Sequence, residues 1–284
     1  MQNCPRHLIR YAAALVWLGA ALAANADLFN TNLIVNGDAE SGPGSGNGGF
    51  VNSIPGWAIT DITMCAVVQY GASGGFPLPT DPGPANRGAN FFAGGPTVGY
   101  SALSQTVDVS AATAAVDSSN VLCVLSAWLG GYTSQDDHAS LTAWFLDATG
   151  TATLGTATIG PVLAVDRGSV TGLIFKQATN TVPGGTRSIR IQLQMIFSTG
   201  AYNDGYADNL SLVFTIAPTL NILPSPNGLT LLWPTNSGAW HLQSTTNIPG
   251  GWADFVPSTL IQGTNNAASI TLTNSSQFFR LKFP

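Results

Sequence analysis

Two segments of this chain alternate apolar and polar residues with a period of two, and that alternation narrows the possible folds more than any other feature. In residues 188–196, Ile189, Ile191, Leu193 and Met195 fall on one side while Arg190, Gln192 and Gln194 fall on the other. In residues 139–147, Leu141, Ala143 and Phe145 share one side, and Ser140, Thr142, Trp144 and Leu146 the other. Successive side chains of a strand point to opposite faces, so each segment reads as a half-buried antiparallel strand. Short β-branched and aromatic runs of the same kind recur after Asp27, punctuated by Gly, Pro, Asn and Asp at intervals typical of sandwiches. The Ala-rich piece at 110–116 is the best helical stretch, and it is short enough to be a turn. Gly-rich 41–49 and 71–88, the latter with Pro77, Pro79, Pro82 and Pro84, read as loops. The fold class expected is all-β.

The start of the chain has a different character. Arg6, His7 and Arg10 precede an apolar run at 11–24 that is too short to span a bilayer, and Ala24-Asn25-Ala26 supplies small residues where a signal peptidase needs them. Residues 1–26 therefore read as a signal peptide, with export to the medium or the cell surface. No lipobox cysteine follows. The remaining 258 residues carry seven Lys and Arg against 14 Asp and Glu, a net charge of −7. That balance disfavours nucleic acid and acidic lipid surfaces as partners. No second apolar run approaches the roughly 20 residues of a membrane span, so no transmembrane segment is expected in the mature chain. Charged residues make up only 8% of the chain against 45% hydrophobic ones, a balance that supports a real core and argues against disorder. Cys65 and Cys123 remain after processing; an exported pair can oxidise, and two buried thiols also behave well as small hydrophobes.

A change of composition near Ala217-Pro218 divides the chain into domains at 27–216 and 217–284. The opening NLIVNGDAE at 32–40, the PGW at 55–57 and the closing YADNLSL at 206–212 resemble the two ends of galactose-binding-like jelly rolls, in which carbohydrate-binding modules begin with an NGxFE-like motif and end with a DDVSL-like strand. Ala39 stands where the motif has an aromatic residue, and Asn209 where it has a second Asp. The run at 125–150, followed by VPGGTRSIRIQLQM and YNDGYADNLSL, is similar to a jelly-roll domain that recurs in secreted bacterial proteins. The second domain, with LTLLWP, WHLQSTTNI, Trp252 and FFRLKFP, resembles short C-terminal modules with an immunoglobulin or fibronectin-like strand pattern. The resemblance implies a jelly-roll β-sandwich followed by a small immunoglobulin-like β-sandwich, and a carbohydrate or a surface glycan as partner.

It also implies a structural calcium held by Glu40 and Asp208, with Asp38 as a further ligand, because calcium favours carboxylate oxygens. Asp208 shares parity with Leu210, Leu212 and Phe214, which would turn its carboxylate inward, where an unpaired charge is costly and a cation would relieve it. The ligand face is expected on the polar sides of the two alternating strands. Sugar rings present C–H faces that stack on an aromatic such as Trp144, and Arg190, Gln192 and Gln194 can each contact several hydroxyls. Trp128 is a further aromatic of this kind. A second location is the loop tips, with Tyr132, Gln135, Asp136, Tyr202 and Asp204. No GxSxG, HExxH, P-loop or dinucleotide fingerprint is present, and after processing only His138 and His241 remain. Asp136 and Asp137 are adjacent, which suits turn chemistry better than an acid–base pair separated by a substrate. The reading is a non-catalytic glycan-binding protein. Its rivals are a structural or adhesive surface protein with no small ligand and, less favoured, a polysaccharide-degrading enzyme using two distant carboxylates.

Overall fold

The computed structural model describes residues 28–60, 65–96, 99–226, 228–235, 240–271 and 276–282. The segment expected to be a signal peptide, 1–26, lies outside them. Two compact units meet in sequence at Thr215 and Ile216, one residue before the boundary expected from composition. Among the described residues no helix is long and apolar enough to cross a membrane.

The first unit contains β1 (Ala58–Thr60), β2 (Ala66–Gln69), β3 (Asn90–Gly95), β4 (Tyr100–Asp108), β5 (Val121–Gly131), β6 (His138–Leu146), β7 (Thr153–Ile159), β8 (Gly172–Thr181), β9 (Ser188–Ile196) and β10 (Asn203–Ile216). They form one sheet ordered β1-β4-β9-β6-β7 and another ordered β2-β3-β10-β5-β8. The β2–β3 and β6–β7 pairs stay within a sheet; the links β3–β4, β4–β5, β5–β6, β7–β8, β8–β9 and β9–β10 cross to the other. Antiparallel strands that repeatedly change sheet define a jelly-roll sandwich.

Alternation explains the core. Leu103, Leu125, Leu141, Phe145, Ile189, Ile191, Leu193, Leu212 and Phe214 are all buried in one cluster between the sheets, and each such side chain stabilises the fold by roughly 1.5–3 kcal/mol. Cys65 and Cys123 are both buried there; Cys65 Sγ donates to Ala102 O, and burial pushes the Cys123 thiol up to about 12. The stretch that could have been a turn is a 3-10 turn at Ser110–Ala112 running into one short α-helix, Thr113–Asp117, whose Val116 enters the core.

The second sheet also carries a satellite cluster on its outer side. Loop 71–88 lays Phe76 against Phe91 and Tyr206, with Tyr70, Trp128, Tyr132 and Tyr202 packed around them. Gly48, at φ +77°, permits this cover, since a Cβ there would meet the Phe76 ring at 2.2 Å.

The second unit contains β11 (Asn221–Ser225), β12 (Gly228–Pro234), β13 (His241–Thr245), β14 (Ala253–Asp254), β15 (Leu260–Gln262), β16 (Asn265–Ile270) and β17 (Phe278–Lys282). The sheets run β11-β12-β16-β15 and β14-β13-β17. Its core is small: Leu231, Trp233, Leu242, Ala268 and Ile270 are buried.

Candidate functional site

The outer face of the sheet β1-β4-β9-β6-β7 collects the polar halves of the alternating strands. β9 pairs with β6 in a register that sets Arg190 opposite Trp144, Gln192 opposite Thr142 and Gln194 opposite Ser140. On its other side β9 meets β4, with Thr106 beside Arg190 and Ser104 beside Gln192. β7 completes the rows with Thr156 beside Trp144 and Thr158 beside Thr142. The two strands singled out by their alternation are thus hydrogen-bonded neighbours, and their polar sides converge. Trp144, Gln192 and Gln194 are half-buried and Arg190 is exposed. The Arg190 guanidinium carbon lies 4.6 Å from the centre of the Trp144 ring, a cation–π contact that caps the indole. Thr142 and Thr158 share a hydroxyl hydrogen bond of 3.0 Å. These rows of Thr106, Ser104, Ala102 and their partners contain no carboxylate.

Thr106, Ser104, Thr156 and Thr158 were not singled out by the sequence reading. The signal was present, since 100–108 and 153–159 also alternate, but single Ser and Thr residues do not advertise a face until strand order is known.

The loop-tip group is distributed differently. Tyr202 packs edge-on against Phe76 and donates its hydroxyl to Gly48 O at 2.9 Å. Asp204 is buried, accepts the Tyr206 hydroxyl, and its carboxyl is pushed up to about 6 by burial. It is therefore an interior group and not a surface contact for a ligand. Asp136 Oδ1 accepts the Ala164 N–H at 3.0 Å, and the Gln135 carbonyl accepts from Arg167 at 2.8 Å. Tyr132 leans on the satellite cluster.

Asp137 also departs from its expected role as a solvated turn residue. It is fully buried, with Oδ1 accepting the Ser198 and Thr199 N–H groups at 2.7 and 3.0 Å and Oδ2 accepting that of Asp204 at 2.8 Å. It fastens the approach to β10 to the start of β6.

Asp208 is buried as expected, but on the opposite side of its sheet. Ala207 and Leu210 both enter the central core, which is possible only because Asn209 takes a left-handed conformation at φ +49° and breaks the alternation. Asp208 consequently points with Tyr206 to the outer side. Its Oδ2 accepts the Tyr70 hydroxyl at 2.7 Å and its Oδ1 the Asn209 N–H at 2.6 Å. Burial pushes this carboxyl up to about 7, and the charges of Glu40 and Asp38 add to the shift. Its own burial, together with the charge of Asp208, drives the Tyr70 hydroxyl well above its ordinary range. Glu40 Oε1 accepts the Ala89 and Asn90 N–H groups, each at 2.8 Å, and Asp38 Oδ1 accepts the Glu40 N–H at 3.3 Å.

Glu40, Asp208 and Asp38 are thus electrostatically coupled, while their bonded oxygens are directed at N–H and O–H donors that a cation would have to displace. Among the described residues no group of three or more His, Cys, Asp or Glu side chains is gathered closely enough to hold a metal.

No family model and no curated protein matches the chain. Similar solved structures include a "Family 16 Carbohydrate Binding Module-2", 20% identical with a TM-score of 0.41, over 64% of this chain and 99% of that one. A cyclase from Fischerella sp. TAU in complex with 4-(1H-indol-3-yl)butan-2-one is 17% identical with a TM-score of 0.45, over 66% and 98%. The CBM22-1 xylan-binding domain from Paenibacillus barcinonensis is 13% identical with a TM-score of 0.34, over 61% and 93%. The strand order by itself makes the first unit a jelly-roll β-sandwich. The likeness to binding modules and to a cyclase alike assigns it neither ligand nor residue.

Proposed function

We propose that this chain is an exported carbohydrate-binding protein whose first unit holds a neutral glycan on the outer face of β4, β9, β6 and β7 without cleaving it. One observation carries the reading: the register that places Trp144 directly opposite Arg190, with Gln192 and Gln194 extending the same face. An indole offers a stacking surface for sugar C–H groups, and guanidinium and amide groups donate to hydroxyls around it. Entry of a sugar would swing the guanidinium off the ring and turn it toward the hydroxyls. The rows of this face lack the paired carboxylates that glycoside hydrolysis uses, which supports binding over cleavage there.

A glycan array probed with residues 27–284, followed by titration of the best soluble hit, tests the reading. Trp144→Ala should weaken binding by about 1–3 kcal/mol, the size of an aromatic stacking contact. Equal affinity of wild type and variant would remove Trp144 from the site.

The adhesive alternative draws on the second unit, where Val256, Leu260 and Ile261 are exposed at 93%, 78% and 76%. Retention on a matrix without saturable binding of any soluble oligosaccharide would favour it. Calcium at Glu40, Asp208 and Asp38 is a separable element of the proposal, supported by the coupling of these carboxylates. If it binds, added calcium should raise the melting temperature of metal-free protein and Asp208→Ala should abolish the rise; an unchanged transition in both would exclude it.

A further inference from the structure

The opposite sheet of the first unit carries a groove that the reading above does not use. It has a volume of about 460 Å³ and is lined by Trp128, Phe175, Asn86, Asn209, Asn36 and Asp38, among others. That size falls within the roughly 300–1,000 Å³ of small-molecule sites. β5 and β8 bring Trp128 directly opposite Phe175, with ring centroids 5.7 Å apart, and Phe175 is 47% exposed. The pair forms an aromatic wall on the outer side of this sheet.

Polar groups stand beside the aromatic wall. The left-handed turn at Asn209, which throws Asp208 outward, also brings the Asn209 amide to the groove, where its Nδ2 donates to Asn86 Oδ1 at 3.1 Å. Among the described residues, that bond leaves the Asn86 amide nitrogen and the Asn209 amide oxygen to face a ligand. Asp38 adds a carboxylate whose second oxygen meets no donor among the described residues. The Asn36 amide, in contrast, is consumed by Pro55 O and the Ser41 N–H, so it shapes the rim without contacting a ligand.

We infer that this groove is a second carbohydrate site, so that one jelly-roll unit holds two neutral glycan chains on its two outer faces. The inference rests on the reading that the unit binds glycan at all. An aromatic wall beside amide donors, amide acceptors and one carboxylate matches a polyol, whose hydroxyls both donate and accept. Among the described residues no Lys or Arg lines the groove, and Asp38 would repel a phosphate or a uronic acid. A nucleobase could stack on the wall, but the phosphates attached to it would meet the same carboxylate. Two sites on opposite sheets would let a monomeric protein bridge polysaccharide chains.

Isothermal titration of the mature protein with cellohexaose, xylohexaose and mannohexaose tests this, using Trp144→Ala, Phe175→Ser and, as a milder groove variant, Asn86→Ala. Melting curves accompany each variant to verify folding. For the hexaose that binds, the expected stoichiometry is two per wild-type chain, falling to one in Trp144→Ala and to one in Phe175→Ser. Asn86→Ala should weaken only the site that survives Trp144→Ala. A wild-type stoichiometry of one, abolished by Trp144→Ala and untouched by both groove variants, overturns the groove while leaving the first face intact. Binding untouched by Trp144→Ala and abolished by Phe175→Ser keeps the groove and removes the first face. Absence of binding to all three hexaoses overturns both.

Discussion

The two outer faces of the jelly roll are made from the same strand pattern and have opposite fates. On the sheet of β4, β9, β6 and β7, the central outward rows hold Ser104, Thr106, Ser140, Thr142, Thr156, Thr158, Arg190, Gln192, Gln194 and Trp144. On the sheet of β2, β3, β10, β5 and β8, much of the outer side is roofed by loop 71–88, which seals Phe91, Tyr206 and Phe76 into a second small core. Buried carboxylates accompany this side: Asp208 is fully buried under Tyr70, and Asp204 is nearly so beside Tyr206. The second sheet thus carries a covered inner cluster on its outer side that the first sheet lacks. Buried carboxylates carry the cost of desolvation, whereas the carboxylate on the bare face, Asp108, is exposed.

The strongest way to break this contrast is to remove a buried carboxylate tie. Asp137→Ala would leave the Ser198, Thr199 and Asp204 N–H groups without their acceptor. At about 1–3 kcal/mol for each buried group left unpaired, the loss should be on the order of 3 kcal/mol or more, read as a fall in the denaturant midpoint. On the bare face the matching change, Trp144→Ala, should cost stability by no more than about 1 kcal/mol, the worth of its cation–π contact, while weakening glycan binding at that face. Comparable destabilisation by the two variants would erase the distinction between the faces.

Next in size is the response to pH. Asp204 and Asp208 ionise near pH 3.8 when unfolded, but in the fold burial raises them to about 6 and about 7. The folded state thus holds protons that the unfolded chain has lost, and stability falls as pH rises from about 4 through 7. In metal-free protein the melting temperature should be higher at pH 5 than at pH 8, and Asp204→Asn and Asp208→Asn should each flatten part of that slope. A melting temperature that rises from pH 5 to pH 8 would show that these carboxylates are not held as described.

The smallest effect sharpens the comparison. Arg190→Ala removes an exposed partner from the Trp144 ring and should shift stability by about 0.5–1 kcal/mol at most, while uncapping the indole to bound sugar. Trp fluorescence during a glycan titration would separate the two effects.

The bare face was legible in the sequence because regular strands obey a period of two, and β6 and β9 keep it almost to their ends: Ile189, Ile191, Leu193 and Met195 are completely buried. The covered face was not. Asn209 interrupts the alternation of β10, so parity counted back from Leu210 sends Asp208 to the wrong side. Phe76 sits in a loop rich in Gly and Pro, where nothing in the local pattern announces that it will close over Phe91. Asp137 reads as a turn residue because its three donors, at 198, 199 and 204, come from more than 60 positions away. Local patterning shows which way a strand faces; it does not show what a distant loop will lay on top.

The central claim is that the outward row of Trp144, Arg190, Gln192 and Gln194 contacts sugar. Titrating the ¹⁵N-labelled mature protein with the hexaose that binds, and following the Trp144 indole, the Arg190 Nε–H and the Gln192 and Gln194 side-chain amides, tests it most directly. The account predicts saturable shifts at all four, with a common midpoint. Stationary signals from these groups, with saturable shifts confined to Tyr132, Tyr202 and their loops, would contradict it.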